Sequence, residues 1–253
     1  MKFAVLFLSL FTFVSFAQKE PLKINADTFI GVDNLEHIYY LKNNILHKNL
    51  GSKTLTYNNL HLGNVTLVDI TNPLKIVVFY KDFNSAIILD DNLNELSNTI
   101  DFNTILFKNI SFVGTASNSN LWLFSKDDNN LILFNYLTKK VILSKQMDDD
   151  FIFEKAISNY HNIWLISKLG ILKYNAYLSY LVQYNIENIE KESVFKNDLI
   201  YKTNDEFLYL LSDEKSIKIP TIKGLIIKDF DVKNDRLFFF DGNTIYSQEF
   251  IKK

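Results

Sequence analysis

The most reactive side chains in this sequence belong to four histidines, His37, His47, His61 and His161. Three of them lie between positions 37 and 61, and imidazole is a common ligand of transition metals. The repeat described below, however, places His37 and His161 in corresponding turns, His47 in a strand and His61 after another strand. We therefore expect turn and surface histidines and predict no metal site.

The common catalytic motifs are absent. The sequence has no G-x-S-x-G nucleophile elbow, zinc-protease motif or phosphate loop. It has no cysteine, which excludes disulfides, thiolate ligands and a cysteine nucleophile. We therefore predict no catalytic residue and no cofactor.

Three acidic runs could suggest calcium binding: Asp90–Asp91, Asp127–Asp128 and Asp148–Asp150. None has the alternating spacing and the glycine of a dedicated calcium loop, which favours solvated turns. A calcium ion held by single residues from several repeats stays open, because spacing does not reveal such a site.

Composition excludes further classes of protein. The 253 residues are 47% hydrophobic and carry a net charge of −2, which is typical of a folded domain with a sizeable core. The 27 basic residues include a single arginine, Arg236. Because nucleic-acid binding needs a concentrated basic surface and often uses bidentate arginine contacts, we exclude a nucleic-acid partner.

Short apolar runs recur along the chain at regular spacing and indicate its fold. They begin at positions 38, 76, 121, 163, 199 and 237, at spacings of 38, 45, 42, 36 and 38 residues. A mean near 40 residues is the size of a four-stranded, WD40-like propeller blade. Further short strands flank the runs, for example Leu131–Phe134 and Val141–Leu143 after the third. The pattern predicts an all-β, six-bladed β-propeller of four-stranded antiparallel blades, in one domain over residues 18–253.

Three details of this prediction concern connections. The sixth unit is one strand short, so we expect Pro21–Asn25 to supply the outer strand of the last blade and cover its open edge. The polar stretch Asn185–Asn197 is expected to form a long loop with a helical turn between the fourth and fifth blades. Since the chain has only seven glycines, asparagine is expected at left-handed turn positions.

Two of the units resemble a known kind of repeat. Asn120–Phe124 with Leu131–Asn135, and Ile163–Trp164 with Gly170–Asn175, are similar to repeats of bacterial regulator-type and quinoprotein-like β-propellers. The resemblance implies the propeller fold. The cofactor-binding motifs of true quinoproteins are not visible, so the resemblance implies no site residue.

Aromatic residues recur at one position of the repeat: Tyr39, Trp122, Trp164 and Phe238. Exposed rings could form a platform for a sugar, whereas buried rings would pack one blade against the next. Because these rings fall in the middle of strands, we expect packing.

Lysine ends the second strand in five of the six units, and Asp241 takes that place in the sixth. Turns after second strands all emerge on one face of a propeller, so this series could form a mixed-charge face that docks a partner. Exposed hairpin lysines also serve simply to solubilise edges. The candidate residues are Lys42, Lys81, Lys126, Lys168, Lys202, Asp82, Asp127, Asp205 and Asp241.

The N-terminus has the features of a secretory signal peptide. Lys2 precedes an apolar run from Phe3 to Phe16, and Ala17 stands where a signal peptidase would cut. The run is shorter than the roughly 20 residues of a membrane-spanning helix. The Ala-Gln ending resembles signals of exported Bacteroidota proteins. We expect residues 1–17 to be removed and the chain to reach the periplasm, with the extracellular space as the alternative.

Two hypotheses about function follow. The first is a non-enzymatic exported propeller that acts as a protein-interaction module or as an accessory subunit of a cell-envelope assembly. The alternative is a calcium-dependent, lactonase-like hydrolase, or a propeller that binds or acts on glycans. Neither hypothesis needs a membrane span once the signal peptide is cleaved.

Overall fold

The computed structural model describes residues 20–148, 150–203, 208–212 and 215–250, which form six four-stranded antiparallel sheets. These sheets are the blades of a β-propeller, so the predicted fold is confirmed. Each second strand coincides with one of the six apolar runs. The proposed signal peptide lies outside the described residues. In the described part of the chain, no helix has the length and apolar character that crossing a membrane requires.

The strands of each blade are lettered A to D from the central channel outwards. The first strand of the chain, β1 (Leu22–Lys23), belongs to blade 6. Blade 1 consists of β2 (Thr28–Val32), β3 (Ile38–Lys42), β4 (Ile45–Asn49) and β5 (Thr54–Tyr57). Blade 2 consists of β6 (Leu67–Asp69), β7 (Ile76–Tyr80), β8 (Ser85–Leu89) and β9 (Ile100–Asp101), and the short helix α1 (Phe102–Ile105) follows it. Blade 3 consists of β10 (Ile110–Thr115), β11 (Asn120–Ser125), β12 (Asn130–Asn135) and β13 (Lys140–Gln146).

The remaining blades repeat this arrangement. Blade 4 consists of β14 (Phe153–Ser158), β15 (Asn162–Ser167), β16 (Gly170–Asn175) and β17 (Tyr180–Tyr184). Blade 5 consists of β18 (Ile189–Phe195), β19 (Asp198–Thr203), β20 (Leu208–Ser212) and β21 (Lys215–Ile219). Blade 6 consists of β22 (Asp229–Lys233), β23 (Arg236–Phe240), β24 (Thr244–Glu249) and, as its D strand, β1.

Because neighbouring strands are antiparallel, successive turns emerge on opposite faces of the propeller. The A–B face carries the turns from A to B and from C to D. The B–C face carries the turns from B to C and the loops that lead from each D strand to the next blade. These two names are used below.

The N-terminal strand closes the ring as predicted. β1 pairs antiparallel with β24, with Leu22 opposite Ile245 and Lys23 opposite Thr244. The backbone N–H of Ile24 donates to the Asn243 carbonyl at 2.8 Å, and the Ile24 side chain is buried between blades 6 and 1. The pairing covers the edge of β24, whose backbone groups would otherwise lack partners in the sheet.

The prediction for Asn185–Asn197 is wrong. This stretch contains no helical turn, and its residues Ile189–Phe195 form β18, the A strand of blade 5. The charged residues of β18 form ion pairs with residues of other strands: Glu190 pairs with Lys202, Lys191 with Asp229 and Glu192 with Lys155. An A strand borders the channel and two neighbouring blades, so ion pairs between strands let a polar sequence occupy it.

Asparagine takes left-handed turn positions, as predicted, and its side chain also forms hydrogen bonds there. Asn44, Asn84 and Asn129 have φ of 64°, 48° and 48° in the B–C turns of blades 1 to 3. Each side chain also bonds to the loop that leaves the same blade: the Asn84 amide donates to the Lys108 carbonyl at 2.8 Å and accepts from the Ile110 N–H at 2.9 Å. A glycine would permit the same turn but would leave that loop unfastened.

The repeated aromatic rings pack blades together, which confirms the prediction. Tyr39, Trp122, Trp164 and Phe238 are at most 3% exposed. The Trp122 ring lies in a core cluster shared by blades 3 and 4, and its Nε1–H donates to the Asn159 carbonyl of blade 4 at 2.9 Å. These rings are therefore not available as a sugar-stacking platform.

Candidate functional site

The lysine series divides into exposed and paired residues. Lys81, Lys126 and Lys168 are exposed on the B–C face. Lys42 is partly covered and pairs with Asp27 at 2.7 Å. Lys202 is only 3% exposed and pairs with Glu190, so it is not part of an exposed face. The cause is register, because Lys202 lies inside β19, whereas the three exposed lysines follow the last residue of a strand.

The acidic candidates divide in a similar way. Asp82 and Asp127 are exposed beside their lysines. Asp241 is occupied by its own turn, since its carboxylate accepts the N–H groups of Asn243 and Thr244, both at 2.8 Å. Asp205 lies outside the described residues. The candidate face therefore reduces to the turns of blades 2, 3 and 4.

Large apolar side chains accompany these lysines, and sequence reasoning missed them. On the B–C face they are between 49% and 86% exposed: Leu60, Phe83, Phe107, Ile152, Leu169 and Ile226. Exposed apolar residues also occur on the A–B face, among them Leu35 and Leu137, so their number does not distinguish the faces. Their arrangement does.

Three of these residues come from neighbouring segments around blade 2: the loop that enters the blade, its B–C turn and the loop that leaves it. The loop bearing Leu60 lies against Phe83, because a Cβ on Gly63 would stand 3.3 Å from the Phe83 ring. The Phe83 carbonyl accepts from the Asn103 amide at 3.3 Å, next to the loop that bears Phe107. We call Leu60, Phe83 and Phe107 the apolar patch.

Phe107 is the most unusual member of the apolar patch. Its φ is 54°, and left-handed backbone costs a residue with a Cβ about 1 kcal/mol or more. Leu93 and Leu178 share this conformation, but they are 4% and 7% exposed, so burial offsets the cost. Phe107 is 85% exposed and gains no such burial within the described residues. Its position after the short helix α1, where glycine is common, is visible only in the structure, so the sequence offered no signal for it.

A cavity of about 580 Å³ occupies the central channel. Its wall is formed by the A strands, and its rim on the A–B face includes Asn159, Tyr160, His161 and Lys233. Two aspartates at equivalent repeat positions, Asp69 and Asp231, line its interior.

Both aspartates bind the edge of the following blade. Asp69 accepts the Thr115 N–H, and Asp231 accepts the Val32 N–H at 2.8 Å. At a third junction the Ser193 hydroxyl accepts the Val232 N–H at 3.3 Å. An A strand is the inner edge of its sheet, and these side chains supply partners for its backbone N–H groups.

The surroundings of Asp231 disfavour its charged form. Burial raises the pKa of Asp231, although the Ser193 hydroxyl and two backbone N–H groups act in the opposite direction. Gly31 makes room for this carboxylate, because a Cβ there would stand 2.6 Å from Asp231 Oδ2. Burial also raises the pKa of Glu192, against the opposing charge of Lys155.

The histidines are scattered, as expected. His37 Nδ1 lies 3.0 Å from the buried Asp33 carboxylate, which also receives two turn N–H groups. His47 stacks on Tyr40, while His61 and His161 are exposed. The described residues contain no group of three or more histidine, aspartate or glutamate side chains that could hold a metal ion.

A chain of contacts on the A–B face links different blades. The Asn159 amide of blade 4 donates to the Lys196 carbonyl of blade 5 at 2.8 Å, and Lys196 pairs with Asp235 of blade 6 at 3.0 Å. The Asn234 amide then donates to the Asn34 carbonyl of blade 1 at 2.8 Å. These bonds run around half of the ring.

Comparison with solved structures finds the same fold. Virginiamycin B lyase from Staphylococcus aureus is 11% identical with a TM-score of 0.62, over 92% of this chain and 99% of that one. A luciferin-regenerating enzyme is 15% identical with a TM-score of 0.58, over 90% and 94%. The Pan2 WD40 domain of Neurospora crassa is 11% identical with a TM-score of 0.58, over 89% and 75%.

Neither the protein-family models nor the curated proteins contain a match to this chain. Two of the three similar structures are enzymes. At sequence identities of 11% and 15%, however, the similarity supports a shared fold and not a shared activity. What the comparisons establish is that the chain shares the β-propeller architecture of virginiamycin B lyase, the luciferin-regenerating enzyme and WD40 domains.

Proposed function

We propose that this chain is an exported, non-enzymatic β-propeller that docks a protein of the cell envelope through its B–C face. The observation that carries the proposal is the apolar patch, whose Phe107 is 85% exposed in a left-handed conformation on the face that also bears the exposed lysines. Export rests on the N-terminal sequence alone.

The patch has the composition of a binding surface. Aromatic residues are enriched at the centres of protein interfaces, where a few buried side chains supply most of the binding free energy. Phe107 and Phe83 would supply such anchors. Lys81 of blade 2 and Lys126 of blade 3 are exposed on the same face and make no ion pair with a described residue, which suits the polar rim of an interface.

The left-handed conformation of Phe107 ends helix α1, where its N–H donates to the Phe102 carbonyl at 3.1 Å, but this backbone bond does not require an exposed aromatic ring. Residues in strained conformations persist at functional sites when other interactions compensate. No compensating burial of Phe107 occurs within the described residues, and a partner that covers the ring would provide it.

The test is capture of the partner from the native cell envelope by the tagged protein. The test variant reverses the exposed B–C lysines (Lys81→Glu, Lys126→Glu and Lys168→Glu). The control variant reverses three exposed lysines of the A–B face or its margin (Lys53→Glu, Lys139→Glu and Lys140→Glu).

We expect the test variant to capture less partner and the control variant to capture the normal amount, with the thermal unfolding of both unchanged. Rim charges mainly affect association rate and salt dependence, so any one of the three reversals should do little. Equal losses from the two variants, or no loss from either, would contradict a docking role for the B–C face.

A further inference from the structure

The outer rim of blade 3 ends in an edge strand that differs from the other D strands. β13 pairs with β12 on one side and, within the described residues, with no strand on the other. It has seven residues, whereas the other D strands have two to five. A long open edge presents a row of backbone N–H and C=O groups that can pair with another strand.

The middle of β13 is apolar and exposed. Val141, Ile142 and Leu143 are 44%, 49% and 36% exposed. The other described D strands have at most two consecutive exposed apolar residues of this size, Tyr180 and Leu181 in β17. Three such residues on a long open edge require cover from another strand, since an uncovered edge of this kind promotes aggregation.

The two ends of β13 carry opposite charges. Lys139 and Lys140 precede the apolar residues, at the end of the strand on the A–B face. Asp148 and Asp150 follow the strand, at its end on the B–C face. These four side chains are exposed and make no ion pair with a described residue. The strand is therefore basic at one end, apolar in the middle and acidic at the other end.

A second copy of β13 matches this pattern. Antiparallel pairing places the start of one strand beside the end of the other, so the lysines of each copy meet the aspartates of the second copy. With Ser144 on the two-fold axis, Lys140 stands opposite Asp148 of the second copy, and Lys145 stands opposite Leu143. No two like charges face each other, and opposite charges across a strand pair stabilise it.

We propose that this protein forms a symmetric dimer in which the β13 strands of two copies pair antiparallel. The contact joins the two four-stranded sheets of blade 3 into one eight-stranded sheet. Because the same residues are used on both sides of a two-fold axis, the assembly closes at two copies.

The dimer leaves both faces of each propeller free. Antiparallel pairing makes the B–C faces of the two copies point in opposite directions, and the contact itself lies on the outer rim. The inference therefore does not depend on the proposed docking function, and either can fail without the other.

The contact is small, so we expect a reversible dimer. Seven residues per copy are fewer than the roughly 20–30 on each side of a stable complex. Sedimentation velocity of the purified protein over a wide range of concentration should show a shift from monomer to dimer. Salt should weaken the dimer, because it screens the paired charges at the two ends of the strands.

A matched pair of variants tests the apolar part of the edge. Ile142 in β13 and Leu181 in β17 are each the extra residue of a β-bulge in a D strand, and they are 49% and 46% exposed. Ile142→Glu removes apolar area and brings a carboxylate to the edge where Asp148 of the second copy lies, so it should weaken the dimer about tenfold or more. Leu181→Glu changes the net charge equally and should have little effect.

An exchange of charges tests the matching of the two ends. The double variant Lys139→Glu and Lys140→Glu is acidic at both ends of β13, and the double variant Asp148→Lys and Asp150→Lys is basic at both ends. Each alone should weaken the dimer about tenfold, because like charges meet. An equimolar mixture of the two should associate again, because opposite charges meet.

Thermal unfolding checks that every variant is folded, and hydrogen exchange locates the contact. Exchange of the β13 amides should slow as the protein concentration rises, whereas exchange of the β17 amides should not change. Four results would overturn the proposal: a monomer at every concentration, association that continues beyond two copies, equal weakening by Ile142→Glu and Leu181→Glu, or a mixture of the double variants that associates no better than either alone.

Discussion

The two faces of the propeller are held together differently. On the A–B face, side chains bond from one blade to another: Asn159 to blade 5, Lys196 to blade 6 and Tyr160 to blade 2. On the B–C face, the turn asparagines of blades 1 to 3 fasten a blade to its own exit loop, as Asn129 does to the carbonyls of Asp148 and Phe151. The links between blades near this face are ion pairs of the A strands, Lys155–Glu192 and Lys191–Asp229.

Among the large apolar residues in left-handed turns, burial also differs between the two faces. Leu93 and Leu178 lie in left-handed turns of the A–B face and bury their side chains, whereas Phe107 on the B–C face exposes its ring. On the A–B face, the turn residues therefore serve mainly to link blades and to line cavities. On the B–C face, the Phe107 ring remains exposed, which is the basis of the proposed docking role.

Among the polar contacts of the two faces, the largest change in stability is expected from breaking those between blades on the A–B face. Asn159→Ala removes three side-chain hydrogen bonds, to His161, Asn162 and Lys196. Each hydrogen bond contributes about 1 kcal/mol, and water replaces part of that contribution in the variant. We therefore expect the free energy of unfolding to fall by about 2 kcal/mol and Tm to fall by about 6 °C. Thermal unfolding measures the loss.

The matched variant on the other face is Asn129→Gly, which keeps the left-handed turn. We expect a smaller fall in Tm and faster hydrogen exchange confined to the loop at residues 147–152, since only that loop is fastened by Asn129. An equal fall in Tm for Asn129→Gly and Asn159→Ala would remove the distinction between the faces.

An intermediate effect, on binding rather than stability, is expected at Phe107. Asparagine tolerates a left-handed conformation, so Phe107→Asn should leave Tm unchanged or slightly higher. Capture of the partner should fall about tenfold, because a buried aromatic anchor is lost. Pull-down together with thermal unfolding measures both quantities.

Leu93→Asn is the control for this variant, because Leu93 has nearly the same φ but is buried. It should lose about 2–3 kcal/mol of stability through the lost burial. If Phe107→Asn were destabilised to a similar extent, Phe107 would be a structural residue rather than a docking residue.

The smallest effect is expected in the channel between the two faces. Since burial raises the pKa of Asp231 above its ordinary value of 3.8, the unfolded chain loses this proton at lower pH than the folded one. The contribution of Asp231 to stability is therefore complete below pH 3.8 and declines as pH rises through the folded-state pKa. Asp231→Asn cannot titrate at this position.

Urea unfolding at pH 4 and pH 7 provides the measurement. We expect the wild type to lose stability relative to Asp231→Asn between these two values. The opposite trend would mean that the hydrogen bonds from Ser193, Val32 and Val232 outweigh burial and stabilise the ionised carboxylate.

The periodicity of the chain was sufficient to determine the fold. Apolar runs about 40 residues apart predicted the six blades, and the missing strand of the last unit predicted the role of β1. Such features are local or periodic, and they follow from the need of each strand to bury one side and pair its edges. The left-handed asparagines were predictable for the same reason, since turn conformation depends on the residue itself.

Only the tertiary structure decided which polar residues are exposed, line a cavity or pair with another strand. Lys202 and Lys168 occupy similar positions in the repeat, yet Lys202 is buried against Glu190 while Lys168 is exposed. The polar stretch around Glu192 became an A strand because its counter-charges, Lys155 among them, come from other blades. A cavity beside the mouth of the channel is lined by Lys75, Thr115 and His161, which come from three blades. Contacts of this kind depend on the distances between blades once the ring has closed, and no local pattern in the sequence encodes those distances.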